Sequence, residues 1–189
     1  MDTAIKATMS LKEATEWAER VQEVLKKHGC KSTICGSIRR QRPFDVGDID
    51  IVVERPVADA VLAVRDWAVR TGKKFRSESK NLNNSSKIAM FRVQEIPFTF
   101  SGASDKEWGA TTLALTGSLL FNVIMRGEAK KQGYKLNPTG LWLGEERIAG
   151  KDEHQIFDVL GLEWVEPKDR NLTTANKGTV TPIRHKEAM

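Results

Sequence analysis

Apolar residues recur at helical spacing through the first long stretch of the chain. Leu11, Ala14, Trp17, Ala18, Val21, Val24 and Leu25 fall on one face, and Ser10 with Glu13 forms a capping box ahead of them. This predicts a helix over 11–28, stopped at Gly29. The period then changes to two: 32–36 is short and β-leaning, an Arg-rich polar turn follows, and 48–54 alternates as a strand. A second helix is expected over about 57–70, opened near Pro56 and closed by Gly72. Residues 73–79, 86–94 and 96–101 read as further strands, with a turn at 81–84. The first lobe, 1–104, is thus a mixed sheet carrying helices. From Asp105 the pattern becomes helix-rich, with a break at Gly117-Ser118, a helix over 119–132, β pieces within 134–143 and a short helix over 153–160. That makes a smaller second lobe, 105–170, in an α+β protein. Residues 171–189 are Thr-, Asn- and Lys-rich without period and are expected to be mobile.

Composition narrows this little. A chain of 189 residues with 40% hydrophobic content suits one compact domain or two small lobes. Lys+Arg number 30 against 25 Asp+Glu, a net charge of +5 that fits a polyanionic partner and a merely soluble basic surface equally well. Cys30 and Cys35 have no second pair and no suitably spaced His to complete a zinc site, so they read as reduced structural thiols. No apolar run approaches the roughly 20 residues needed to cross a bilayer, and the start lacks the layout of a secretory signal. A soluble intracellular protein without a membrane partner is expected.

The chemistry concentrates in Gly36-Ser-Ile-Arg-Arg40 followed by Val46-Gly-Asp-Ile-Asp-Ile-Val-Val53. On a strand, residues two apart share a face about 6–7 Å apart, so Asp48 and Asp50 converge while Ile49 and Ile51 pack behind them. Two carboxylates so placed invite divalent metal, which prefers one or two carboxylates plus substrate phosphate oxygens. Gly36 permits close backbone approach, Ser37 offers a hydroxyl and an amide, and Arg40 presents a forked cation to phosphate. Singly, each feature is ordinary: Asp-x-Asp on a strand edge is usually a solvated pair, and Gly-Ser is usually a turn.

In combination, the segment resembles the signature of the polymerase-beta-like nucleotidyltransferases. Thr116-Gly-Ser-Leu-Leu-Phe-Asn122, Met125-Arg126, the run 133–140, the run 156–161 and Glu166-Pro-Lys-Asp-Arg170 are similar in order and spacing to the C-terminal lobe of the family X DNA polymerases. The resemblance covers about 10–170 and implies a nucleotidyltransferase palm followed by a small thumb-like lobe. It implies that Asp48 and Asp50 bind metal, with two Mg2+ or Mn2+ ions expected. Gly36, Ser37, Arg40 and Gly47 would lie around the triphosphate, with Gly117 beside the incoming sugar. Asn122 would reach the groove edge of the incoming base, and Ala114 and Leu115 would stand where the family often screens the sugar with aromatic residues. Arg126, with Lys130, Lys131 and Lys135, would contact DNA; an ordinary polar helix face is the plainer account of these side chains. Nucleoside triphosphates and a DNA primer-template or gapped DNA are the implied partners, and a monomer is expected. No lyase lobe or helix-hairpin-helix element is expected ahead of 11.

Two positions depart from the family. Its third aspartate, on a neighbouring strand, falls on Thr99, which removes charge near the attacking hydroxyl. Smaller residues at 114 and 115 leave room near the sugar 2′ position. The leading expectation is low-fidelity DNA nucleotidyl transfer by two metals, in gap filling or short extension. A catalytically impaired nucleotide- or DNA-binding member is the alternative, and a nucleotidyltransferase that modifies protein or transfer RNA is a third reading.

Overall fold

A computed structural model of the protein describes residues 8–42, 46–173 and 183–186. Helix α1 (Leu11–Lys27) starts where the capping pattern places it, the Ser10 hydroxyl accepting the Glu13 amide at 3.2 Å. Strand β1 (Ser32–Ile34), a short helix α2 (Gly36–Arg39), β2 (Ile49–Glu54), α3 (Val57–Arg70), β3 (Phe75–Ser77), β4 (Ile88–Val93) and β5 (Ile96–Ala103) complete the first lobe. The strands form one sheet in the order β1-β2-β5-β4-β3. β2 and β5 run parallel and the other pairings are antiparallel, so the sheet is mixed as expected. Residues 36–39, which the sequence pattern assigns to a strand end and turn, are instead one helical turn. Gly36 at φ +59 swings the chain out of β1, and four residues are too few to carry a readable period.

Alternation along β2 and β5 gives the sheet two different faces. Ile49, Ile51, Val53, Phe98 and Phe100 are buried against α1 and α3, in a core that also holds Phe91 stacked on Phe98. On the opposite face Val52 and Ala103 are covered by Trp108 and Leu115. These two belong to α4 (Trp108–Thr116), the first helix of the second lobe. Only the far end of that face is roofed in this way, so Asp50 and Thr99, nearer the strand starts, remain half-exposed.

The second lobe continues with α5 (Leu119–Lys131), an antiparallel sheet of β6 (Lys135–Asn137), β7 (Gly140–Leu143) and β8 (Glu146–Ala149), then α6 (Glu153–Val159) and a 3-10 turn at Pro167–Arg170. Its core is Leu113, Phe121, Met125, Leu141, Ile156, Phe157, Leu160 and Leu162. Part of the segment expected to be mobile belongs to this lobe. Leu172 is buried in it, and 183–186 returns to form a bridge between Leu162 and His185, with Lys186 on Asp158 at 2.7 Å. Contacts with distant residues order these positions, which a search for local period does not detect. Residues 174–182 and 187–189 lie outside the described residues. Among the described residues no helix is long and apolar enough to cross a membrane.

Two buried carboxylates join the lobes. Glu153 receives Arg39 of α2 at 2.5 Å and Arg170 at 2.7 Å. Glu107 receives Arg55, just past β2, at 3.1 Å and Arg147 of β8 at 3.6 Å, as well as the Ser104 hydroxyl at 2.8 Å. Burial alone pushes the Glu107 carboxyl up, but the Ser104 hydrogen bonds and the two guanidinium groups outweigh it and hold the group below the ordinary carboxylate range. A carboxyl whose folded value is depressed adds stability above its unfolded value near 4.3, and that stability is lost as pH falls through the folded value. Glu107→Gln is therefore expected to destabilise by about 1–3 kcal/mol at neutral pH, with the gap to the parent closing as pH falls below the ordinary carboxylate range. Urea unfolding at stepped pH measures this; a gap that stays constant with pH contradicts it.

Candidate active site

Asp50 is fixed by the sheet. It lies in β2 directly beside Thr99 of β5 in the parallel register, and its carboxylate rests against Gly36. A Cβ built on Gly36 would stand 2.2 Å from Asp50 Oδ2, and the residue has φ +59, so glycine is required there on both counts. Asp48 precedes β2 by one residue and is half-exposed like Asp50, while Ile49 and Ile51 are fully buried between and behind them. Gly47, half-buried, follows Val46, whose backbone bridges Met9 at 2.8 and 3.0 Å and anchors the approach to β2.

Arg40 closes the other side. Its Nη2 lies 3.4 Å from the Ser37 hydroxyl, its Nε donates to Asn171 Oδ1 at 3.0 Å, and its Nη1 donates to the Thr116 carbonyl. Three of the five guanidinium N–H groups are thereby used and two remain for an anion. Burial lowers its pKa, Arg42 adds to that, and the nearby Asp50 charge opposes it. The turn at Gly117 makes this reach possible. Gly117 has φ +68, and a Cβ there would sit 3.2 Å from Arg40 Nη1. The Ser118 hydroxyl donates to the Leu172 carbonyl at 3.1 Å, which pins the turn to the end of the second lobe.

Asn122 lies one helical turn into α5, with its Nδ2 donating to the Ala114 carbonyl at 2.7 Å, and Arg126 Nε donates to the Asn122 carbonyl at 3.0 Å. Ala114, Asn122 and Arg126 line one cavity of about 230 Å³, and Ala114 and Leu115 line a second of about 540 Å³ that runs to Ile88 and Ser101. Ala114 thus stands where the two cavities adjoin, and its methyl group leaves them open. Leu115 is turned partly toward Val52 and Cys35. Lys130 follows Arg126 on the same exposed stripe of α5, and Lys135 opens β6. Lys131 is held by Glu128 at 2.7 Å, leaving it less available to phosphate than Lys130.

The structure therefore makes neighbours of Gly36, Ser37, Arg40, Asp50, Thr99 and Gly117, with Asn122 beside Gly117 and Arg126 one turn further along α5. Neither Asp105 nor Glu107 replaces a carboxylate at Thr99. Both lie past the opposite end of β5, Asp105 on Lys31 at 3.3 Å and Glu107 in its clamp. Glu95 is exposed beside Arg76 at 3.8 Å. Among the described residues no group of three or more His, Cys, Asp or Glu is placed to hold a metal ion. Burial pushes the Cys35 thiol up to about 12, so it stays protonated and structural. Sequence reasoning missed Asn171, whose Nδ2 also donates to the Arg40 carbonyl at 2.8 Å; its place directly after Glu166-Pro-Lys-Asp-Arg170 was the available signal.

Comparison with known proteins bears on the fold and on the second lobe. Residues 111–171 match the family model described as DNA polymerase beta thumb. The chain is 27% identical over 177 residues to DNA polymerase lambda of Arabidopsis thaliana, covering 74% of this chain and 32% of that protein. It is 34% identical over 71 residues to DNA polymerase IV of Saccharomyces cerevisiae, covering 38% of this chain and 12% of that protein. It spans about a third or less of these relatives. Among solved structures it is similar to Leishmania infantum polymerase beta in a ternary P/T complex, with TM-score 0.72, 22% identity, and 89% of this chain and 78% of that chain covered. The ternary gap complex of the same polymerase gives TM-score 0.72 at 21% identity, over 89% and 72%.

Replacing Gly36 is the sharpest test of the groove. Gly36→Ala is expected to displace the Asp50 carboxylate and to cost roughly 1–3 kcal/mol in backbone strain alone. Nucleotide affinity in the presence of Mg2+, measured by calorimetry, should fall at least about tenfold, alongside a lowered unfolding midpoint. Parent-like affinity and midpoint would contradict the placement of Asp50 against this glycine.

Proposed function

We propose that this chain, family X polymerase-like in fold and in its thumb, transfers nucleotides onto DNA, filling gaps or extending short primers with low fidelity. The observation that carries the reading is the half-exposed Asp50, backed by Gly36, with its charge near an Arg40 whose remaining N–H groups suit a triphosphate. In the reaction, a primer 3′ hydroxyl oxygen forms a bond to the α-phosphorus and gives up its proton to solvent, the bond from that phosphorus to the bridging oxygen breaks, and pyrophosphate leaves. Ser37 and Arg40 hold the leaving phosphates, and Asn122 and Arg126 orient the base and the strand. Ala114 leaves the sugar unscreened.

The donor set suits one divalent ion best. Asp48 and Asp50 together with triphosphate oxygens meet the preference of Mg2+ for one or two carboxylates plus phosphate. Bound there, the ion neutralises phosphate charge and polarises the phosphoryl oxygen. Beside Asp50 across β2 and β5, Thr99 offers a neutral oxygen that would neither replace a carboxylate toward a second ion nor take up the proton of an attacking hydroxyl. This favours the second reading, in which the chain binds nucleotide and DNA while extending primers weakly.

Primer extension separates the two readings. The parent is expected to extend weakly, Thr99→Asp to raise the rate by about 10- to 1,000-fold, and Asp50→Asn to abolish it in either background. Robust extension by the parent with no gain from Thr99→Asp would overturn the role given to this position. For the sugar, kcat/KM for deoxy- and ribonucleotides should agree within about tenfold, because an alanine at 114 leaves the 2′ side open. A large deoxynucleotide preference, measured in the same assay, would contradict this.

A further inference from the structure

The reverse face of the first lobe carries a second candidate surface. The carboxylate groove opens on one side of the sheet, whereas α1 and α3 cover the other. Between the ends of these helices lies a groove of about 560 Å³ lined by Arg20, Lys27, Arg70, Trp67 and Glu23. Arg20 and Lys27 are seven residues apart on α1, which places them on one ridge about 10 Å apart. Neither they nor Arg70 forms a salt bridge among the described residues. Trp67 is half-buried, and Lys73 Nζ stands 5.4 Å from its ring centroid, which adds a fourth cation at the groove edge. Lys27 and Arg70 close their helices and so complement the helix ends, whereas Arg20 lies two turns from either end, exposed, with its guanidinium 5.6 Å from the Trp17 ring centroid.

We infer that this groove is a second, sequence-independent contact for the phosphate backbone of duplex DNA, on the face opposite the candidate active site. The inference rests on the proposed DNA-directed function and extends it. Charge decides the occupant. A protein partner needs a central apolar anchor, and here Val24 is already buried and the Trp67 face is taken by Lys73, so the contact available is through cations. Cations about 10 Å apart on a ridge can meet phosphates spaced along one strand, at about 3.4 Å of rise per charge. Glu23 lies in the same groove and repels phosphate, which keeps the contact weak and gives it a signature of its own. The two surfaces lie on opposite sides of the sheet, so a short primer-template offers this one few phosphates. A longer duplex that bends round the lobe, or a second duplex, can reach it.

The test uses the full chain and fluorescence anisotropy with two DNAs: a primer-template of about ten base pairs and a duplex of about forty, each across a salt series. The doubly reversed variant Arg20→Glu/Arg70→Glu should extend the short primer-template as the parent does. It should bind the long duplex about tenfold more weakly, with a salt slope shallower by about two. Parent-like affinity and slope on the long duplex would overturn the inference while leaving the proposed function standing. If the parent binds neither DNA, both readings fail together. Glu23→Gln, a milder change, should tighten binding to the long duplex about two- to threefold and leave the short one unaltered; no change would also overturn it. A polyglutamate peptide whose binding depends on Arg20 and Arg70, with DNA binding unaffected by them, would replace DNA by an acidic protein partner.

Discussion

The relation of the two lobes to each other and to the site turns on a buried ion triad. Arg170 is 0% exposed, with its guanidinium 4.7 to 5.6 Å from the ring centroids of Trp164, Phe121 and Phe157. A cation in such surroundings is costly unless it is paired, and its partner, Glu153, is shared with Arg39 of the first lobe. Arg170 Nη2 has no hydrogen-bond partner among the described residues, so the pairing with Glu153 and the aromatic faces must hold the charge. Separating the lobes would leave a buried carboxylate between fewer cations.

The triad also sets the site. Arg39 and Arg40 are neighbours around α2, one directed to Glu153 and Thr116 and the other to Ser37, the Thr116 carbonyl and Asn171. Anchoring the first fixes the second. Any rotation of the second lobe that moved Glu153 and the Gly117 turn would carry away the carbonyl that orients Arg40, so the position of Arg40 and lobe orientation are mechanically linked. The Glu107 clamp, at the opposite end of β5, restrains the same motion from its far side.

Local signals in the amino-acid sequence make much of this arrangement legible. The capping box opens α1, the alternation from Asp48 to Val53 is the strand that carries Asp50, and the glycines at 36 and 117 mark turns that only glycine accommodates. What escapes a local reading depends on contacts between distant residues. Arg39 and Glu153 are 114 positions apart, and Arg40 and Asn171 are 131 apart; neither residue type in isolation signals a partner. The same cause hides α2, whose four residues are held by the turn at Gly36 and by Arg39 and Arg40, and the return of 183–186 onto Leu162. Parity shows which face Asp50 takes, but the roofing of only one end of that face by α4 follows from the packing of Trp108 and Leu115, which no local pattern encodes.

Thr99 acquires a physical meaning in this frame. It is the direct neighbour of Asp50 across β2 and β5, so a carboxylate at 99 would set two like charges side by side on the sheet, a destabilising arrangement until cations arrive. The fold tolerates a neutral side chain there at no cost to its core, because the Asp50 position is defined from the other side, by Gly36 and by the buried isoleucines that flank it. On the proposed function, binding geometry and catalytic charge are therefore separable: the surroundings of Asp50 are built by backbone and by the arginines of α2 whatever residue occupies 99, while the charge that would drive transfer is set at that position. A neutral residue there favours stability over activity on that reading.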